Sequence, residues 1–151
     1  MRNKETNYII NYLKVGKIMH DILFRGRRKD NGEWIYGYYD NKNGESYING
    51  VVIESYTAGQ FIGLIDKNKK KIFEGDILQN DQLPYMINGR SVYFHEVVWM
   101  NDVAAFGLYV HKNPKSRANG LSHGEMQYIE DFDPSEWEVV GNIHDNPEML
   151  L

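Results

Sequence analysis

The chain has 151 residues, 42% of them hydrophobic and 25% charged, with a net charge of −4 and no cysteine. That length suits one domain with a real core, and the absence of cysteine excludes disulfides, thiolate metal sites and cysteine catalysis. No apolar run nears the ~20 residues of a spanning helix, and the N-terminus lacks the plan of a secretory signal, so a soluble, intracellular protein is expected, and the lack of cysteine fits a reducing cytoplasm.

Aromatic residues make up 13% of the chain, eleven of them Tyr, and there are 14 Gly. Tyr and Trp favour half-buried strands, and glycine fits frequent turns, so the composition predicts a mainly β protein. Residues 1–18 differ in character: Tyr8, Ile9, Tyr12 and Leu13 could line a short helix, and Met19 opens a stretch that reads as a second start. They are expected to be a variable N-terminal extension to a β domain over 19–151.

In chain order, Ile22 to Phe24 is a short strand and Lys29-Asp30-Asn31-Gly32 a hairpin turn, because Asn-Gly readily takes positive φ. Trp34 to Tyr39 is the return strand, Asn41 to Gly44 a polar turn, and Tyr47 to Tyr56 an apolar segment containing Asn49-Gly50. These elements form an N-terminal hairpin region, 19–59. A second hairpin follows, with strands around Phe61–Ile65 and Ile72–Leu78 and a lysine-rich turn at 66–71. Its Phe61-x-Gly63, Asn68 and Ile72-Phe73 echo Phe24-x-Gly26, Asn31 and Ile35-Tyr36 at a constant offset. Duplication and chance recurrence of hairpin chemistry both account for that echo.

Gln79 to Arg90 reads as a loop. Val92 to Met100 and Phe106 to His111 read as strands, with Val97, Val98 and Trp99 as core. Lys112 to Gly124 carries turn residues and is expected to be a long loop. Trp137 to Ile143 is a last strand. Asp145 or Asn146 would cap a short C-terminal helix that starts at Pro147 and presses Met149, Leu150 and Leu151 onto the domain. Short strands with turns at regular spacing argue for a small barrel or roll over 60–151.

Several segments in order resemble one family: Phe24-Arg25-Gly26, Gly32-x-Trp34, Gly63-Leu64-x-Asp66, Ile72-Phe73-Glu74-Gly75-Asp76-Ile77 and Gly141-Asn142-Ile143-x-x-Asn146-Pro147-Glu148. Together they are similar to the YopX family of bacteriophage and prophage proteins, over about residues 20–151. Ile65 and Lys69-Lys70 depart from the usual pattern of the central turn. The resemblance implies a mainly β fold with an SH3-like barrel and a phage accessory role inside an infected cell. It transfers no activity, catalytic residue or cofactor.

Read by their chemistry, the hallmark residues Glu74, Gly75, Asp76, Gly141, Asn142, Asn146 and Pro147 are expected to be structural. Asp76 would accept turn amides, Gly75 would permit a bend, and Asn146 with Pro147 would dock the C-terminal turn. Glu74 and Asp76, two apart on a strand, share a face and could alternatively pair for acid–base work or bind a cation. His20, His95, His111, His123 and His144 lack the short spacing of a structural zinc site. Glu130-Asp131-Phe132-Asp133 lacks the glycine and terminal glutamate of a calcium loop. No phosphate-binding loop, dinucleotide fingerprint or nucleophile elbow is present, so no enzyme is indicated and no cofactor is expected.

Charge is segregated. Residues 118–151 hold eight acids and no Lys or Arg, while bases gather at Arg25–Lys29 and Lys67–Lys71. Such asymmetry could drive self-association or attract a partner, and it equally describes solvated turns of opposite sign. Arg25, Arg27, Arg28 and Lys29 beside Trp34 and Tyr36 offer a contact strip for a protein partner or a single-stranded nucleic acid. The acidic balance counts against nucleic acid. The reading is a non-enzymatic interaction or self-assembling module, a homo-oligomer or protein binder with no membrane role, with a nucleic-acid-binding barrel as the alternative.

Overall fold

The computed structural model describes residues 22–82, 86–87, 90–113, 124–129 and 133–151. The extension 1–18, His20, His123, most of the 112–124 loop and Glu130 to Phe132 lie outside the described residues. Three polar turns set the local plan. Asn43-Gly44 and Asn49-Gly50 both have positive φ at each residue, the geometry that lets a two-residue turn match the strand twist. At 28–33 the Arg28 amide donates to the Glu33 carbonyl at 2.9 Å, and the Asn31 side chain accepts the Glu33 amide at 3.0 Å.

These turns join β1 (Phe24–Arg27) to β2 (Trp34–Gly37), and β3 (Tyr39–Lys42) to β4 (Glu45–Ile48) to β5 (Val51–Ile53). The strand expected over 34–39 therefore breaks at Tyr38, whose amide is taken by the Asn49 side chain at 2.9 Å. The segment expected over 47–56 is likewise a hairpin followed by a 3-10 turn, Ser55–Thr57. Next come β6 (Gly59–Ile65) and β7 (Lys71–Phe73), which complete a four-stranded sheet ordered β2-β1-β6-β7. The two hairpins that echo each other in sequence thus lie side by side, joined through antiparallel β1 and β6. That pairing crosses the 59/60 boundary between the expected regions.

A five-stranded sheet holds the second half. Its order is β13-β12-β11-β8-β14, from β8 (Asp76–Asn80), β11 (Tyr93–Met100), β12 (Ala105–Lys112), β13 (Met126–Tyr128) and β14 (Trp137–Asn142). A short pair, β9 (Met86–Ile87) and β10 (Arg90–Ser91), stands where the sequence suggested only loop. Antiparallel register places Leu78, Val97, Leu108, Trp137 and Val139 on one face, and Ile62 and Ile72 of the other sheet pack with them as the core. His95 shares that face and is fully buried. The fold is mainly β with a curled, half-barrel sheet.

Two expectations are corrected. Trp99 is 43% exposed, not core: it is the next-to-last residue of β11, outside the core cluster, with its ring against Phe106 of the neighbouring strand. The short C-terminal helix is only a 3-10 turn, Pro147–Met149, with Asn146 before it and no side-chain cap. The turn is held by its Met149 and Leu150 amides, which donate to the Asn146 and Pro147 carbonyls three residues back at 3.1 Å each, the 3-10 pattern. Met149 and Leu150 are half-buried, while Leu151 is 86% exposed.

Candidate functional site

Strand alternation puts Arg25 and Arg27 of β1, with Trp34 and Tyr36 opposite them on β2, on one face of the first hairpin. That face turns toward the second half of the chain. Arg25 ends against Asp76, nitrogen to oxygen 2.6 Å, in a buried pair, and donates to the Glu74 carbonyl at 3.1 Å. The other Asp76 oxygen accepts the Phe73 amide at 2.8 Å and closes the turn in which Gly75 has φ +82°. Burial pushes the Asp76 carboxyl above its ordinary pKa, with Arg25 and the Phe73 amide pulling it back.

Trp34 lies between the two guanidiniums, 5.0 Å from that of Arg25 and 5.3 Å from that of Arg27. Its indole N–H donates to Asp145 at 2.8 Å, and Asp145 also pairs with Arg27. Asp145 is placed by Asn142, whose side-chain amide donates to it at 2.7 Å and whose oxygen accepts the His144 and Asp145 amides at 2.9 Å each. Asn146 closes the loop by accepting the Asn142 amide at 3.3 Å. A Cβ at Gly141 would lie 2.5 Å from that Asn146 oxygen, so glycine lets the loop fold back on the strand. Pro147 then opens the final 3-10 turn.

The structure therefore brings Arg25, Arg27, Trp34, Glu74, Gly75, Asp76, Gly141, Asn142, Asn146 and Pro147 to one joint between the halves. Arg28 and Lys29 do not join them: Arg28 pairs with Asp30 at 2.6 Å and Lys29 with Glu45 at 3.6 Å, at the hairpin turn. Tyr36 lies on the rim, 52% exposed, with its ring 5.4 Å from that of Phe73. Glu74 and Asp76 part company, Asp76 pointing into the joint and Glu74 lining a cleft beyond it.

That cleft has a volume of about 250 Å³, and its walls include Tyr56, Glu74, Glu96, Trp99, Ile143 and His144. Burial raises the Glu74 carboxyl's pKa, opposed by the Gln60 amide. Burial lowers that of His144, helped by the charges of Arg25 and Arg27, so its ring is neutral at physiological pH. The His144 ring sits 5.8 Å from Trp34 and 5.9 Å from Tyr56. Glu96 meets His111 at 2.8 Å. Sequence reasoning missed Tyr56 and read Trp99 as core; the available signal was His95-Glu96, two polar residues inside an otherwise apolar strand. Among the described residues, no group of three or more His, Asp or Glu is arranged to hold a metal ion.

Residues 14–151 match the family described as YopX protein. The chain belongs to the YopX family. The match begins six residues before the resemblance read at 20–151. A similar solved structure is the crystal structure of protein EF1440 from Enterococcus faecalis, at 22% identity, covering 86% of this chain and 98% of that one, with a TM-score of 0.47. No curated protein matches the chain. Both glycine-centred segments on which the resemblance was read, around Gly75 and Gly141, thus meet in the joint that seats the β1–β2 hairpin on the five-stranded sheet.

Proposed function

We propose that this YopX-family chain is a phage- or prophage-encoded accessory protein without enzymatic activity, acting in the bacterial cytoplasm by binding protein, either further copies of itself or a partner. The curled sheet is read as an SH3-like barrel, a scaffold that serves such contacts. The observation that carries this reading is a set of large aromatic side chains standing in solvent. Tyr38, two residues from half-exposed Tyr36, is 76% exposed, and Tyr56 is 73% exposed. Tyrosine and tryptophan are enriched where proteins meet, because they bury much area at low entropic cost.

The alternative, a single-strand nucleic-acid binder, draws support from the same rings. It is disfavoured by the basic strip, in which Arg25, Arg27, Arg28 and Lys29 each face a carboxylate of the chain itself. Cations already neutralised release few counterions on meeting phosphate.

Size-exclusion chromatography with light scattering and absorbance at two wavelengths, on protein purified without nuclease, separates the two. A clean multiple of 17.7 kDa with protein-like absorbance supports self-assembly. Excess mass that absorbs as nucleic acid and is lost in high salt would replace this reading with the alternative.

A further inference from the structure

The cleft beside the joint has a composition that selects one ligand class. Its Glu74 carboxylate is half-buried, its pKa raised by burial against the pull of the Gln60 amide, and among the described residues no salt bridge includes it; Arg25 reaches only the Glu74 backbone carbonyl. By contrast, buried Asp76 meets Arg25 and half-buried Glu96 meets His111. Leaving a carboxylate partly desolvated without a counter-charge is costly, and the cost is recovered when a cation arrives. Trp99, 43% exposed, and Tyr56, 73% exposed, stand at the cleft walls within reach of a ligand. His144 is neutral there and does not repel positive charge. Arg25 and Arg27 are held inside the joint by Asp76 and Asp145.

We propose that this cleft is a socket for an arginine side chain of a protein partner, with Glu74 accepting the guanidinium and Trp99 or Tyr56 stacking on it. Glu96, already engaged by His111, adds negative charge to the same wall. A planar guanidinium fits better than an ammonium because it can fork onto a carboxylate and lie flat on an aromatic ring at once. The cleft volume of about 250 Å³ accommodates such a head group with part of its stem. This deepens the protein-binding reading and rests on it for the source of the arginine.

The test uses the full chain and two small probes, N-acetyl-arginine amide and its uncharged isostere N-acetyl-citrulline amide, followed by the indole N–H signals of the three tryptophans in NMR. A Trp99→Phe variant assigns the Trp99 signal. The arginine probe should shift Trp99 saturably, and the citrulline probe should bind about tenfold more weakly, the difference expected of a charge-assisted hydrogen bond. Glu74→Gln should reduce arginine to the citrulline level while the Trp34 and Trp137 signals stay in place, which reports an intact fold. Equal binding of the two probes, a silent Trp99, or an unchanged affinity in Glu74→Gln overturns the socket. Because the probes need no partner, a negative result leaves assembly measured by light scattering standing, and the two readings fail separately.

Discussion

The Arg25–Asp76 pair gives the most exacting test of the joint. Asp76 is fully buried and Arg25 nearly so, and the carboxyl's raised pKa means its ionised form is less favoured here than in water. The pair is therefore not a net source of stability, yet neither partner tolerates being left alone. Asp76→Asn keeps an acceptor for the Phe73 amide, so its cost is that of a buried guanidinium without its counter-charge, about 3 kcal/mol. For a chain of this size that lowers Tm by about 6–12 °C. Arg25→Met keeps the stem packed on Trp34 and Phe73 and should cost about as much at neutral pH.

The pH dependence of Arg25→Met has a definite sign. Removing the cation raises the folded pKa of Asp76 further above its unfolded value, so the folded state binds the proton more tightly. The contribution is present at low pH and is lost as pH rises through the folded pKa, by up to about 1.4 kcal/mol per pH unit. The variant should therefore approach wild type toward acid. In the double variant Arg25→Met/Asp76→Asn no buried charge remains, and the loss should be about 2 kcal/mol or less, not the sum of about 6. Urea unfolding at several pH values measures all three. Additive losses, or an Asp76→Asn midpoint equal to wild type, would refute the argument.

Other parts of the fold give simpler outcomes. Burial depresses the His95 pKa to about 4 from 6.5, so the unfolded chain binds its proton first and stability falls as pH drops from 6.5 toward 4. The loss amounts to about 3 kcal/mol in all, and His95→Leu should flatten that part of a urea-midpoint profile. At Asp66 burial opposes ionisation, but the Val139, Lys70 and Asn68 amides outweigh it and hold the carboxyl below its usual range. Asp66→Ala orphans those amides, including the Val139 link to β14 at 2.9 Å, and should cost about 2–4 kcal/mol by denaturant titration. Gly75→Ala has room for its methyl group but not the right backbone, and the left-handed φ should cost about 1–2 kcal/mol in the same measurement.

Local chemistry was legible in the sequence wherever it acts within a few residues. The Asn-Gly and Gly-Asp positions announced turns, because only certain residues tolerate positive φ, and the alternation of Trp34 to Gly37 announced a strand. What sequence could not supply was which strand lies beside which. Arg25 and Asp76 are 51 positions apart, and Trp34 and Asp145 are 111 apart, so a run of bases beside aromatics looked like a free contact strip. Folding turned half of it inward. Trp99 shows the converse error: an aromatic after two valines reads as core, yet near the end of β11 it stands 43% exposed. The cleft was invisible because Tyr56, Glu74 and the Glu96–Trp99 stretch of β11 come from three separate parts of the chain.

The joint and the cleft are mechanically one unit, and this yields a final expectation. The Glu74 backbone is fixed from three directions: its carbonyl by Arg25 at 3.1 Å, its amide by the Gln60 carbonyl at 2.9 Å, and its neighbour Gly75 by bonds to Val97 at 2.8 Å and from Ile143 at 2.9 Å. A carboxylate anchored in this way stays aimed into the cleft without an ion pair of its own, and a ligand that meets it has less ordering to impose. Arg25→Met removes one of the three anchors, the bond to the Glu74 carbonyl, without replacing any side chain that lines the cleft. If the socket is preorganised by the joint, that variant should bind the arginine probe several-fold more weakly at Trp99 under conditions where it remains fully folded. An affinity equal to wild type would mean that the cleft holds its shape independently, and that the two hallmark segments serve the seating of the hairpin alone.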